Sequence, residues 1–200
     1  MKYKKIISTT ILVLLLLDSR SQSQITLDKT SYTIDKKIEI HQSKFEFVDT
    51  GVLKRSMKIG VFWDDRLFFK NYDDDNALDC FTFSTITGDT ISIVGYMLGG
   101  LGYGFNLKLI GDSCFVAPYA LSDESVYSLN LSDSTYWNPI QLPTTLHKVI
   151  ISKKPSFKEG ETIAGFVQLK SIPYYYKGLE GKFRIEVIAH FKTAPLKLIQ

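Results

Sequence analysis

Residues 182–193 read KFRIEVIAHFKT, and this stretch decides the fold class. Every second residue from Phe183 to Phe191 is apolar, and the residues between them are charged or polar except Ile188. Alternation with a period of two is typical of a β-strand with one buried face. The same pattern recurs along the chain, so we expect an all-β protein. The other segments that carry it are 38–41, 44–48, 57–63, 80–86, 90–96, 104–110, 113–118, 125–131, 146–152 and 162–170.

Turn-forming residues separate these segments at short intervals. Thr87-Gly88-Asp89 lies between two predicted strands and indicates a hairpin. Many short strands joined by close turns are typical of an antiparallel sandwich or a barrel. We predict a two-sheet antiparallel sandwich, with an up-and-down β-barrel as the alternative, because both bury one face of each strand.

The stretch FKEGETIAG, residues 157–165, resembles a pattern of immunoglobulin-like sandwiches. In that pattern a Gly-Glu turn leads into a strand that carries a conformationally special glycine. The resemblance covers residues 146–191. It implies an immunoglobulin-like sandwich for the C-terminal part of the chain, and it implies no activity.

Residues 1–23 have the composition of a secretory signal peptide. Three lysines precede an apolar run over 6–17, which is shorter than the roughly 20 residues of a membrane-spanning helix. Small residues follow the run, so we predict cleavage after Ser21 or, preferably, Ser23. An uncleaved anchor is the alternative. The remaining residues, 24–200, are predicted to form one sandwich domain, the alternative being a domain boundary near 143–146.

The charge of the mature chain argues against two classes of partner. Residues 1–23 contain four of the 24 basic residues and one of the 21 acidic residues, which leaves 20 of each sign. A chain without net charge lacks the basic excess expected of a nucleic-acid binder or of a protein that adheres to anionic membranes. Lysine outnumbers arginine by 20 to 4, which favours an AT-rich bacterial source. Together with the predicted signal peptide, this favours an exported protein that is periplasmic, on the cell surface or secreted.

The two cysteines, Cys80 and Cys114, are predicted to form a disulfide. Export places them in an oxidising compartment, where an even number of cysteines favours pairing. The alternative is two buried free thiols. The sequence has no C-x-x-C motif, which would indicate a redox pair. Neither cysteine has a neighbouring cysteine or histidine, which would indicate a zinc site.

An acidic segment near the middle of the chain is a candidate calcium site. Asp73, Asp75, Asn76 and Asp79 bring several oxygen ligands together, and calcium takes six to eight of them. The spacing departs from the EF-hand loop, because Ala77 stands at its fifth position. The alternative is a solvated turn, where Asp and Asn are common.

Aromatic residues in predicted loops are candidates for ligand binding. Tyr136 and Trp137 lie in the loop 132–145, and Tyr174 and Tyr176 follow Pro173 at the end of a predicted strand. Flat rings that project from loops can stack on sugars, although packing within the core is the alternative. Trp63 continues an apolar alternating face and is expected to be buried.

The sequence contains no motif that identifies a catalytic centre. Neither a G-x-S-x-G elbow nor an H-E-x-x-H helix occurs. We predict an exported, non-catalytic binding or interaction module of a bacterial envelope. The alternative is a carbohydrate- or calcium-dependent binding module, and a hydrolase is the least favoured reading. No cofactor is expected unless the acidic segment binds calcium. The expected partner is a protein or glycan of the envelope, not a nucleic acid, and the mature chain is not expected to span the membrane.

Overall fold

The computed structural model describes residues 29–38, 47–48, 52–53, 57–71, 80–97 and 102–197, with the backbone alone at 47–48, 52–53 and 80. The elements it names there are strands. In chain order they are β1 (Thr30–Ser31), β2 (Thr33–Ile34), β3 (Phe47–Val48), β4 (Val52–Leu53), β5 (Met57–Trp63), β6 (Arg66–Lys70), β7 (Cys80–Thr87), β8 (Thr90–Met97), β9 (Gly102–Ile110), β10 (Ser113–Leu121), β11 (Tyr127–Ser128), β12 (Ile140–Gln141), β13 (Thr144–Ile151), β14 (Ile163–Ser171), β15 (Tyr175–Tyr176), β16 (Phe183–Thr193) and β17 (Leu196–Lys197).

The strands form two large sheets and one small one. The first large sheet has the order β1-β10-β9-β8-β7-β4-β3, with β12 added to β10 and β17 added to β7. The second has the order β2-β13-β14-β16-β5-β6, and β11 pairs with β15 in the small sheet. Within the described residues no sheet closes on itself. The predicted all-β sandwich is therefore confirmed over the alternative barrel, while the immunoglobulin-like resemblance of 146–191 stays a prediction.

The two large sheets share one core, which is built from the alternating apolar residues of facing strands. The rings of Phe105 in β9 and Phe191 in β16 meet between the sheets, with centroids 6.0 Å apart. Each ring lies over a glycine of the adjacent strand, because a Cβ at Gly95 would overlap Phe105 and one at Gly165 would overlap Phe191. A glycine inside a strand is suited to such a close approach.

Most of the predicted strands are present, and the exceptions are informative. The segment 125–131 forms only the two-residue strand β11, and among the described strands of five or more residues the sequence did not predict β6. The two-residue strands β1, β2, β4, β12, β15 and β17 were not predicted either. The hairpin between β7 and β8 turns at Gly88, which has a φ of 59°. The predicted signal peptide, residues 1–23, lies outside the described residues and stays a prediction.

The predicted disulfide between Cys80 and Cys114 is wrong. Cys114 is a buried free thiol, and burial raises its pKa to about 11. Cys80 pairs with Met97 at one end of β7, whereas Cys114 lies in register with Ile86 at the other end, three strands away. The two Cα atoms are thus about 14 Å apart across the sheet and about 20 Å apart along it. A disulfide requires Cα atoms within about 7 Å.

Candidate binding site

One end of the sandwich carries a connected cluster of rings, which we call the aromatic end. It forms where β5 ends and β16 begins, and the small sheet contributes to it. Its members are Trp63, Phe68, Tyr127, Tyr174, Tyr176 and Phe183. The centroid of Phe183 lies 5.8–6.3 Å from those of four other members. Tyr127 joins the cluster through Tyr176 and Tyr174, at 5.3 and 5.8 Å.

Two backbone pairings hold the loops of the aromatic end in place. The amides of Tyr174 and Phe183 each donate to the carbonyl of the other, at 2.9 and 2.8 Å. Tyr127 and Trp137 exchange hydrogen bonds in the same way, at 3.3 and 2.7 Å. These pairings order segments that lack long strands, so the rings are carried on a fixed backbone.

The structure brings the four predicted ligand-binding aromatics into this region but exposes them unequally. Tyr174 is 1% exposed and packs within the core, so its ring supports the rings of Tyr127 and Phe183 and does not face solvent. Trp137 and Tyr176 are half-buried against the core. Tyr136 is half-buried too, and the ammonium of Lys177 lies 5.3 Å from the centroid of its ring.

Buried tyrosine hydroxyls lie beneath the aromatic end. Burial raises the pKa of Tyr103 to about 12, even though a hydrogen bond with Tyr174 opposes the rise. Burial also raises the pKa values of Tyr127 and Tyr174. The Tyr127 hydroxyl is buried, and no described residue forms a hydrogen bond of normal geometry with it. Ser122 is nevertheless close enough to oppose the rise in the pKa of Tyr127. These phenols are therefore neutral at ordinary pH.

Trp63 and Phe68 are the most exposed members of the aromatic end. Trp63 is 38% exposed and Phe68 is 54% exposed, so the expectation that Trp63 is buried is wrong. The ladder between β5 and β6 shifts between Val61 and Phe62, which leaves Phe68 as the extra residue of a β-bulge. Bulges re-aim side chains. This one directs Phe68 to the edge of Trp63, with centroids 6.0 Å apart and planes at 87°.

The turn after Trp63 adds charged groups beside these rings. Asp64 and Asp65 have φ values of 46° and 64°, in the left-handed region that Asp tolerates better than most residues. The Asp64 carboxylate accepts a hydrogen bond of 3.0 Å from the amide of Lys182. A hydrogen bond of 2.6 Å from Arg184, followed by the charge of Lys182, lowers the pKa of Asp65.

Little in the sequence indicates this turn and bulge. The run Arg66-Leu-Phe-Phe-Lys70 does not alternate, because the bulge breaks the period of two. The one available signal was the Asp64-Asp65 pair between two apolar stretches, which is consistent with a tight hairpin turn.

The predicted calcium ligands Asp73, Asp75, Asn76 and Asp79 lie outside the described residues. Elsewhere, in the part of the chain that is described, no group of three or more His, Cys, Asp and Glu side chains could hold a metal ion. Calcium binding by the acidic segment thus stays a prediction.

Among the described residues, none forms a helix long and apolar enough to cross a membrane. Comparison of the chain with protein-family models, curated proteins and solved structures finds no match. The role of the aromatic end has to be argued from its own chemistry.

Proposed function

We propose that the mature chain is a non-catalytic binding module exported to a bacterial envelope, and that the aromatic end is its binding surface. The observation that carries the proposal is the exposure of Trp63 and Phe68 on a support of buried rings. Rigid aromatic side chains give a large contact area at little cost in conformational entropy, so they often dominate binding energy.

The support distinguishes these two rings from the other exposed apolar residues. Leu131, Ile188 and Leu196 are exposed as well, at separate places on the surface. Scattered apolar residues of this kind are normal on a protein surface. Trp63 and Phe68 instead contact each other and share the buried ring of Phe183, which is the arrangement expected of a preformed binding surface.

The test is capture of envelope components by immobilised chain 24–200. Isolated envelope from the producing bacterium is applied, and the retained protein and sugar are quantified with and without excess free chain as competitor. We expect competable retention that is lost in the Trp63→Ala/Phe68→Ala variant and kept in the matched Ile188→Ala/Leu196→Ala variant. Both variants are first checked for native melting behaviour.

Two results would contradict the proposal. One is the absence of any competable component. The other is equal retention by the aromatic-end variant and its control, which would place binding elsewhere on the protein.

A further inference from the structure

We infer that the outer face of Trp63 is a stacking platform for a neutral sugar ring, with the Asp64-Asp65 turn as its polar rim. This inference rests on the proposed binding function and names its ligand class. It places the site at residues different from the loop aromatics that the sequence suggested.

The geometry of three rings places both phenylalanines away from one face of Trp63. Trp63 stacks on Phe183 with centroids 5.8 Å apart and planes 9° apart. Phe68 stands nearly perpendicular to both rings, at 6.0 Å from each. The three centroids therefore form an almost equilateral triangle, which puts Phe68 beside the stacked pair. Neither phenylalanine covers the face of Trp63 opposite Phe183, and the residue as a whole is 38% exposed.

The indole is held rigidly in this position. Its Nε1–H donates a hydrogen bond of 2.9 Å to the carbonyl of Glu180. Phe183 beneath it is buried and belongs to the main core. A ring fixed at one edge and one face loses little freedom on binding, so contact with its other face is not offset by a large ordering cost.

Polar groups adjoin the edge of the same ring. A Cβ at Gly181 would fall against Trp63 Nε1 and within 2.7 Å of Asp64 Oδ2, so the indole edge and this carboxylate share one small space. Asp65 lies next in the turn and bonds to Arg184, which lies over the ring of Phe62 on the other face of β5. The Asp64 carboxylate and the Glu180 carbonyl thus offer hydrogen-bond acceptors at one edge of an apolar plane. A sugar ring has the matching pattern, with C–H groups on its faces and hydroxyl groups at its edge, and C–H groups favour the electron-rich face of an indole.

The charge of the rim selects a neutral ligand. The turn residues Asp64-Asp65-Arg66 and the facing segment 180–184 together contain three acidic and three basic residues. Carboxylates and cations are interspersed there, as the contacts of Asp65 with Arg184 and Lys182 show. Such a rim gives no net attraction to a phosphate, a nucleic acid or a polyacidic chain, whereas hydroxyl groups can bond to both kinds of group.

The turn between β5 and β6 has the backbone of a two-residue hairpin. Two successive non-glycine residues, Asp64 and Asp65, adopt left-handed φ values, and a bulge follows at Phe68. The contacts with Lys182 and Arg184 hold this turn in place.

The chain has two tryptophans, Trp63 and Trp137, so fluorescence can assign the site directly. In the Trp137→Phe variant all indole emission comes from Trp63, and in the Trp63→Ala variant it comes from Trp137. The probes are four neutral hexasaccharides, cellohexaose, maltohexaose, laminarihexaose and chitohexaose, with hexagalacturonate as a charged comparison. Calorimetry on the unmodified chain 24–200 measures affinity independently, and melting curves establish that both variants are folded.

We expect at least one neutral probe to bind the unmodified chain and to shift the Trp63 emission of the Trp137→Phe variant in a saturable way. Removing a central aromatic anchor typically costs about tenfold or more in affinity, so Trp63→Ala should lose at least that much. The charged probe should bind more weakly than its neutral counterparts.

Three results would overturn the inference. The first is undiminished binding by Trp63→Ala, and the second is tighter binding of hexagalacturonate. The third is the absence of binding to all four neutral probes in both calorimetry and fluorescence. Competable envelope capture that depends on the aromatic end would then still support the binding function, so failure of the sugar site and failure of the proposed function are distinguishable.

Discussion

Replacing Gly165 with alanine tests how the two sheets pack. Gly165 lies in β14 beneath the ring of Phe191, and a Cβ there would overlap that ring and lie 2.8 Å from the carbonyl oxygen of Ile150. The ring cannot turn away into solvent, because it is fully buried against Phe105. The Ile150 carbonyl belongs to the neighbouring strand, so relief also requires that strand to move.

The expected magnitude follows from two opposing effects. Overpacking of a core costs about 1–3 kcal/mol, while replacing glycine by alanine restricts the unfolded chain and returns about 0.4–1 kcal/mol. Because a backbone atom is among the obstacles, we expect the cost to prevail and Gly165→Ala to lose about 2 kcal/mol of unfolding free energy. For a chain of this size that is a fall of about 4–8 °C in Tm, measured by circular dichroism and by urea unfolding.

Gly60→Ala in β5 is the matched control. A Cβ at Gly60 would lie 3.1 Å from Phe62 and 3.7 Å from Leu67, and both contacts are with side chains at the surface that can yield. We expect a change within about 0.5 kcal/mol. In a background carrying Phe191→Leu, Gly165→Ala should cost less, because the obstructing ring is gone. Equal stabilities for Gly165→Ala and Gly60→Ala would refute this account of the core.

Three further predictions concern other parts of the molecule. Tyr127→Phe removes a buried hydroxyl without a described partner, so it should leave the free energy of unfolding unchanged or slightly raised. Tyr103→Phe breaks the hydrogen bond with Tyr174 and should cost about 1 kcal/mol in urea unfolding. The reverse order of stability would contradict this description of the two hydroxyls. The pKa of Tyr103 is about 12 in the folded state against an ordinary 10.0, so the folded state holds this proton more tightly than the unfolded chain does. This contribution to the free energy of unfolding should be complete below pH 10.0 and should fall by about 2–3 kcal/mol as the pH rises from there through 12. A constant urea midpoint would speak against the buried phenol. If the acidic segment binds calcium, a concentration of 100 times Kd should raise Tm by about 5–10 °C relative to chelator, and Asp73→Ala should abolish the shift, whereas an unshifted melt would leave a solvated turn.

Trp63 shows where strand alternation stops being informative. Alternation correctly puts Trp63 on the same side of β5 as Met57 and Val61, which are buried. It carries no information on how far the opposing sheet extends. Trp63 is the last residue of β5, and at that position it is partly exposed to solvent.

The cysteines show a second limit. Their even number and the predicted export indicate only that the compartment would allow a disulfide. Whether the two cysteines meet depends on the register of four strands. That register is set jointly by all the strand pairings between Cys80 and Cys114. No local pattern at either cysteine encodes it.

The sequence by itself determined the all-β class and the approximate positions of the long strands. Burial of one face of a strand is a local requirement, and it leaves a period of two in the chain wherever it applies. It also indicated which aromatic residues lie in loops, since Tyr136 and Trp137 could be recognised from the turns around them, but it did not indicate which rings reach solvent.

Only the tertiary structure decided which rings meet and which reach solvent. The grouping of Trp63 and Phe68 over Phe183 depends on a β-bulge, on a left-handed turn and on contacts between residues more than 110 positions apart. These arise from the pairing of distant strands, whose energies depend on the whole packed arrangement. A segment of sequence read alone contains only its own preferences, so the exposed group of Trp63 and Phe68, the proposed binding surface, follows only from the placing of β5, β6 and β16 side by side.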